Sequence, residues 1–126
     1  MTMDLKTMHT DPRGAIYGVA LPTGQELLLF FCNRGFLRGG HSHSVPEVVA
    51  VVSGHLRYHK MVKGEEKVFD LYPGDTMVNY PDEPHMGFFV EDTWLLEFKF
   101  GPGSAVGEWT TTEYEPMREQ VRRSMA

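Results

Sequence analysis

Apolar residues along this chain come in short bursts separated by Gly, Pro, Asn and Asp, and almost nowhere at the three-to-four spacing of an amphipathic helix. Two runs, Ala15 to Leu21 and Gln25 to Cys32, flank Leu21-Pro22-Thr23-Gly24. There the proline presets φ and the glycine accepts a positive one, which predicts a hairpin. Asn33-Arg34-Gly35 breaks the second run and Phe36 to His43 resumes it. Glu47 to Val52 is β-branched and closed by Ser53-Gly54, the pattern of a buried strand with Glu47, Val49 and Val51 on its inward face. His55 to Met61 alternates, putting Leu56 and Tyr58 toward the interior and His55, Arg57 and His59 away from it. Lys67 to Tyr72, Thr76 to Tyr80, His85 to Val90 and Trp94 to Phe100 complete the set. In the last of these Trp94, Leu96, Phe98 and Phe100 share one face, while Glu97 and Lys99 are expected on the wet side.

So many short strands predict an all-β antiparallel sandwich or barrel spanning residues 15–103 and ending at Gly101-Pro102-Gly103. Residues 1–14 are polar and Met-rich, and are expected to form an irregular N-terminal arm. The tail, residues 104–126, predicts one short helix from about Pro116. Met117, Val121 and Met125 give it a thin apolar stripe, and Arg122 and Arg123 lie at the end where the macrodipole favours cations.

Composition narrows the possible roles. With 126 residues the chain suits a single domain. A formal charge of −5 and the lack of any Lys/Arg cluster exclude a nucleic-acid groove. Cys32 is the only cysteine, so no internal disulfide forms; in the run LLLFFC it is expected to be buried and inert. No stretch has the length of a leader or a membrane span, and the expected location is the cytoplasm, away from membranes.

The chemistry concentrates in Gly35 to Gly54. His41 and His43, two apart on an extended strand, point to one face, and Glu47 follows a Ser-Val-Pro link that can turn the chain back to them. His85, at the head of a later strand, supplies a third imidazole. Three imidazoles and a carboxylate suit one divalent transition metal, Fe, Mn, Ni, Co or Zn, and leave one or two positions for water and substrate. An inward Glu47 without a cation would be costly, which itself implies a positive partner. Arg38, upstream on the same strand, is a candidate anchor for an anionic substrate group, and Glu83, beside His85, a candidate general base. Tyr58, Met77, Tyr80, Phe89, Trp94 and Phe98 are candidate walls of a substrate pocket. His9, His55 and His59 are expected to be solvated or packed.

Gly35, His41, His43, Glu47 and Gly54 stand at the spacing G-x5-H-x-H-x3-E-x6-G, which resembles the first motif of the cupin superfamily at all five positions. Gly74-Asp75, Pro81 and His85 resemble the second motif with departures: Glu83 stands where glycine is expected, and Pro81 to His85 is one residue short. The resemblance covers roughly residues 15–100. It implies a single-domain cupin-type β-barrel, or jelly roll, holding one metal ion on His41, His43, Glu47 and His85, and a homodimer paired through edge strands or exchanged termini. The implied activity is that of a metal-dependent enzyme of isomerase, cyclase, lyase or dioxygenase type acting on a small oxygenated molecule; the alternative is a non-catalytic module that binds a metal or small ligand. Asp11-x-Arg13-Gly14 and Arg38-Gly39-Gly40-His41-Ser42-His43 are also similar to cupin-type isomerases and epimerases of nucleotide-linked sugars, which implies a sugar-like substrate. Retention of Glu47 and His85 contradicts the metal-free acid-base mechanism of the ketoisomerases among them.

Overall fold

In the computed structural model, which describes residues 4–105 and 107–125, eleven strands and one helix make two antiparallel sheets. One sheet has the order β1 (Asp4–Asp11), β2 (Gly14–Ala20), β3 (Glu26–Cys32), β10 (Thr93–Lys99), β5 (Glu47–Ser53), β8 (Thr76–Asn79). The other has the order β11 (Thr111–Glu113), β4 (Leu37–His43), β9 (His85–Phe89), β6 (Leu56–Val62), β7 (Glu65–Leu71). The predicted hairpin is β2 and β3, in register from Gly14↔Cys32 to Ala20↔Glu26. After Asn33-Arg34-Gly35 the chain crosses to the opposite sheet, so consecutive runs face each other across the interior.

Phe30, Cys32, Val49, Val51, Leu56, Tyr58, Leu71, Phe89 and Leu95 fill the space between the sheets. Each large side chain buried this fully contributes about 1.5–3 kcal/mol. Phe30, Val49, Leu56, Tyr58, Phe89 and Leu95 of this set also line the interior cavity. Gly54, which closes the first motif, has φ +99° and no room for a side chain, since a Cβ would lie 2.4 Å from the Asp92 carbonyl oxygen.

Residues 4–11 are not an irregular arm. They form β1, exposed along nearly its whole length and paired antiparallel with β2. An outer strand with both faces wet carries no period-two hydrophobic signal, so the backbone ladder alone defines it. β11 was missed for the same reason: its three residues are exposed and polar. The helix α1 (Glu115–Met125) starts one residue before Pro116, and Met117 and Val121 dock on Met86 beside Leu37, Met61 and Tyr114, on the outer face of the five-stranded sheet. The side chain of Met125, expected on the same stripe, and residues 1–3 of the arm lie outside the described residues. Among the described residues no helix is long and apolar enough to cross a membrane.

β10 departs most from expectation. Leu95, Glu97 and Lys99 turn inward and line the interior cavity, and Trp94, Leu96 and Phe98 take the outer face. Trp94 there packs against Phe31 (ring centroids 4.9 Å) and stacks on Tyr17 (6.3 Å). Register fixes the inversion, because β10 sits between β3 and β5 with Lys99 opposite Glu47 and Leu95 opposite Val51. The two charged residues find partners inside, described next.

Candidate metal centre

Two strands of one sheet and one of the other deliver the predicted cluster. His41 and His43 lie on the inner side of β4, just past a bulge at Gly39 and Gly40, whose φ values of +101° and +83° suit residues without a side chain. His85 opens β9 directly opposite His41, and Glu47 opens β5 across the interior. One ring nitrogen from each of His41, His43 and His85 lies within 4.8 Å of the others, and the ring centroids are 4.7 to 5.1 Å apart. The Glu47 carboxylate, with no exposed surface, spans two of them: Oε2 is 3.3 Å from His43 Nε2 and Oε1 is 3.4 Å from His85 Nε2.

Hydrogen bonds on the far side of two rings orient them. His85 Nδ1 donates to the Glu83 carbonyl at 3.1 Å, so Nε2 is left with a lone pair, buried and without a hydrogen-bond partner. His43 Nδ1 meets Thr111 Oγ1 at 2.9 Å, and its Nε2 also faces inward. Burial, followed by the neighbouring His85 and His43, pushes the His41 pKa down to about 3, and burial lowers that of His85. Burial alone would raise Glu47, but the His43 contact and the charges of His85 and Lys99 outweigh it and hold the carboxyl below its usual range. Three imidazoles converging on a carboxylate, with a buried nitrogen that makes no hydrogen bond among them, fit a divalent cation.

Several residues of the site escaped sequence reasoning. Lys99 Nζ donates to Glu47 Oε2 at 3.1 Å, so the buried carboxylate already has a protein cation, and its burial alone does not demand a metal. Asn79 Nδ2 donates to Glu47 Oε1 at 3.0 Å and to Tyr58 Oη at 2.6 Å. Glu97 is raised well above the carboxylate range by burial and then by the charge of Glu47, to which it is hydrogen-bonded. Glu97→Gln, a neutral isostere, is therefore expected to match the wild-type melting temperature below pH 4.5 and to exceed it increasingly as pH rises. The unfolded wild-type chain sheds the Glu97 proton above pH 4.5 and the folded one releases it only at higher pH, so the wild type alone loses stability. Thermal melts across pH check this, and parallel curves for the two proteins would contradict it.

The cavity beside the cluster measures about 320 Å³. Of the predicted walls, Tyr58 and Phe89 line it. Met77 packs against the core and does not reach the cavity. Tyr80 is 62% exposed, and Trp94 and Phe98 face outward with the rest of that side of β10. Glu83 is no free base: it is ion-paired with Lys60, whose Nζ also donates to the Val78 carbonyl at 2.7 Å. Arg38 does line the cavity, with Nε and Nη2 buried and without a hydrogen bond, Nη2 3.8 Å from Asp11 Oδ1, and Cζ 5.6 Å from the Phe30 ring centroid. Arg13 is engaged with Asp11, through Nη2 to Oδ2 at 2.6 Å. His9, His55 and His59 pair with Asp11, Asp70 and Glu66. Cys32 is fully buried, and burial pushes its thiol up to about 12, as expected of an inert cysteine.

No family model matches the chain, and no curated protein matches it. Solved structures do. Bacillus subtilis oxalate decarboxylase, in a structure addressing its Mn(II) centres, is similar with a TM-score of 0.70 at 21% identity, over 87% of this chain and 30% of that one. CapF with the inhibitor 3-isopropenyl-tropolone gives 0.68 at 15% identity, over 88% and 34%. A protein of unknown function (DUF1255) from Acidithiobacillus ferrooxidans gives 0.61 at 24% identity, over 77% and 89%. The chain thus spans about a third of the length of the first two. At these identities the likeness is one of fold. Two antiparallel sheets and this set of structural neighbours show a cupin-type jelly-roll fold.

Proposed function

We propose that the chain binds one divalent transition metal, Fe, Mn, Ni, Co or Zn, through His41, His43, Glu47 and His85, and is a metal-dependent enzyme acting on a small anionic oxygenated molecule. The observation that carries this reading is the convergence of three imidazoles on Glu47 with the His85 Nε2 atom buried, 3.4 Å from the carboxylate and without a hydrogen bond. A bound metal would supply Lewis acidity toward a substrate oxygen or, with a redox-active ion, electron transfer. The chain's own residues do the rest. Arg38, whose guanidinium is desolvated, makes no hydrogen bond and meets Asp11 Oδ1 only at 3.8 Å, holds a carboxylate or similar anion at the opposite end of the cavity strand from His43. Phe30, Leu28 and Phe89 exclude water from the substrate's apolar part. Glu97, whose protonated form burial favours, lies on the cavity wall. Lys99 and Asn79 hold the Glu47 carboxylate in place.

The charge balance supports an anion. Glu47 is offset by Lys99, and the single charge of Asp11 is shared between Arg13 and Arg38, so these guanidiniums and a metal leave the cavity positive. Structural neighbours include an oxalate decarboxylase with Mn(II) centres, in keeping with a small carboxylate. A screen of metal-loaded protein against small hydroxy- and keto-acids and sugar acids is the test. Turnover that is lost in His43→Ala, with KM raised in Arg38→Met, is the expected result. Stabilisation by such anions with no turnover would instead establish the non-catalytic binding module, a reading favoured by the engagement of Glu83 with Lys60. The outer row Tyr17, Phe31, Trp94 and Phe98 supports a homodimer built on that sheet face. Light scattering that gives the mass of one chain would contradict it.

A further inference from the structure

The segment beyond the barrel returns to the strand that carries the histidine pair. β11 adds to the edge of β4 with Thr111 opposite His43, Thr112 opposite Ser42 and Glu113 opposite His41. Ser44 N donates to the Thr110 carbonyl and Thr110 N to Ser44 Oγ, both at 2.9 Å. This places Trp109 in the cavity wall, edge-on to His43 at 5.4 Å between ring centroids and 3.9 Å below Lys99 Nζ. Arg118 of α1 donates from Nε to the Gly39 carbonyl at 3.2 Å, lies over Gly40 and pairs with Glu113 and Glu115, which ties the helix to the same edge.

We propose that this tail completes the metal site: Thr111 is the positioning residue of His43, and Trp109 shields the ion side of the cavity from solvent. The inference rests on the metal reading above. An imidazole binds a cation through one nitrogen only when the other carries the proton. Thr111 Oγ1, 2.9 Å from His43 Nδ1, accepts that proton's hydrogen bond and leaves the lone pair on Nε2, the atom facing Glu47. Without β11, β4 would be an edge strand and His43 Nδ1 would face solvent, free to adopt either tautomer. Trp109, held from above by the Lys99 ammonium, is a rigid apolar plate against the same ring.

Co(II) alone, added to full-length protein, tests this. In a Trp94→Phe background Trp109 is the remaining tryptophan, and its fluorescence is expected to quench saturably as Co(II) binds. Thr111→Val should bind Co(II) about 10-fold more weakly and move the midpoint of its pH-dependent uptake upward. Thr111→Ser, which keeps the hydroxyl, should restore both, and Thr112→Val should change neither. Trp109→Ala should give up Co(II) to a chelator several-fold faster, read by the visible absorption of the ion. Circular dichroism shows that each variant is folded, and Thr111→Ser carries the test if Thr111→Val is not. Wild type that takes up Co(II) as tightly as Thr111→Val, or shows no quenching of Trp109, overturns this inference alone. Wild type that takes up no Co(II) overturns the metal reading beneath it.

Discussion

Glu47→Ala is expected to lower folding stability by about 3–5 kcal/mol, the usual cost of removing one partner from a buried ion pair. The substitution would leave the Lys99 ammonium buried beside the Trp109 ring without its carboxylate partner, and would free the Asn79 amide from one of its two acceptors. Its effect therefore exceeds what the lost side-chain volume explains. The double change Glu47→Met with Lys99→Met should cost much less than the sum of the two single ones, because no orphaned charge remains. Urea titrations of the four proteins measure this. A loss under about 1 kcal/mol in Glu47→Ala would mean that the carboxylate is not bound where these contacts place it.

The second large effect is expected from metal. A divalent transition ion at about 100 times its dissociation constant should stabilise the chain by about 2.7 kcal/mol, because its ligands come together only in the folded state. His41→Ala and His85→Ala should abolish the rise in melting temperature. Before metal is added, the low pKa values of His41 and His85 also set an acid limit. Below the ordinary imidazole value of 6.5 the unfolded chain takes up protons at both positions, whereas folded His41 does not do so until about pH 3. Their contribution to stability is therefore complete above pH 6.5 and is lost as pH falls toward 3. Glu97 acts in the opposite direction over the same range, but it is one group against two. Melting temperatures of metal-free protein should decline below pH 6.5, and a value independent of pH down to pH 4 would contradict the burial of these imidazoles.

Strand positions were legible because half-buried strands write their burial into alternation, as Glu47, Val49 and Val51 or Leu56 and Tyr58 show. The four candidate ligands were legible because two histidines one residue apart, a nearby carboxylate and a later strand-opening histidine need only the strand geometry to converge. What failed was any element whose faces are not sorted by polarity. β1 and β11 are wet on both sides, and β10 hides its charged residues inside while showing aromatics outside. Alternation gives the period of β10 but not which face turns inward. Pairing of Lys99 with Glu47 decides that, and no local pattern reveals a partner so distant in the chain. Trp94 and Phe98 were misassigned to the pocket for that reason, and Lys99 and Glu97 were overlooked for the same one. Trp109, Thr111 and Arg118 come from a tail whose sequence gives no sign that it folds back on β4. Tyr80 and Glu83 follow β8 in the turn before His85, where one sits in solvent and the other is drawn to Lys60.

The most direct test is the metal content of purified protein after reconstitution with Mn, Fe, Co, Ni or Zn and removal of excess ion. A site built from His41, His43, Glu47 and His85 predicts about one tightly held ion per chain for at least one of these metals, and none in His43→Ala under the same treatment. Protein that retains no ion of any kind, or a His43→Ala variant that retains as much as the wild type, would contradict it.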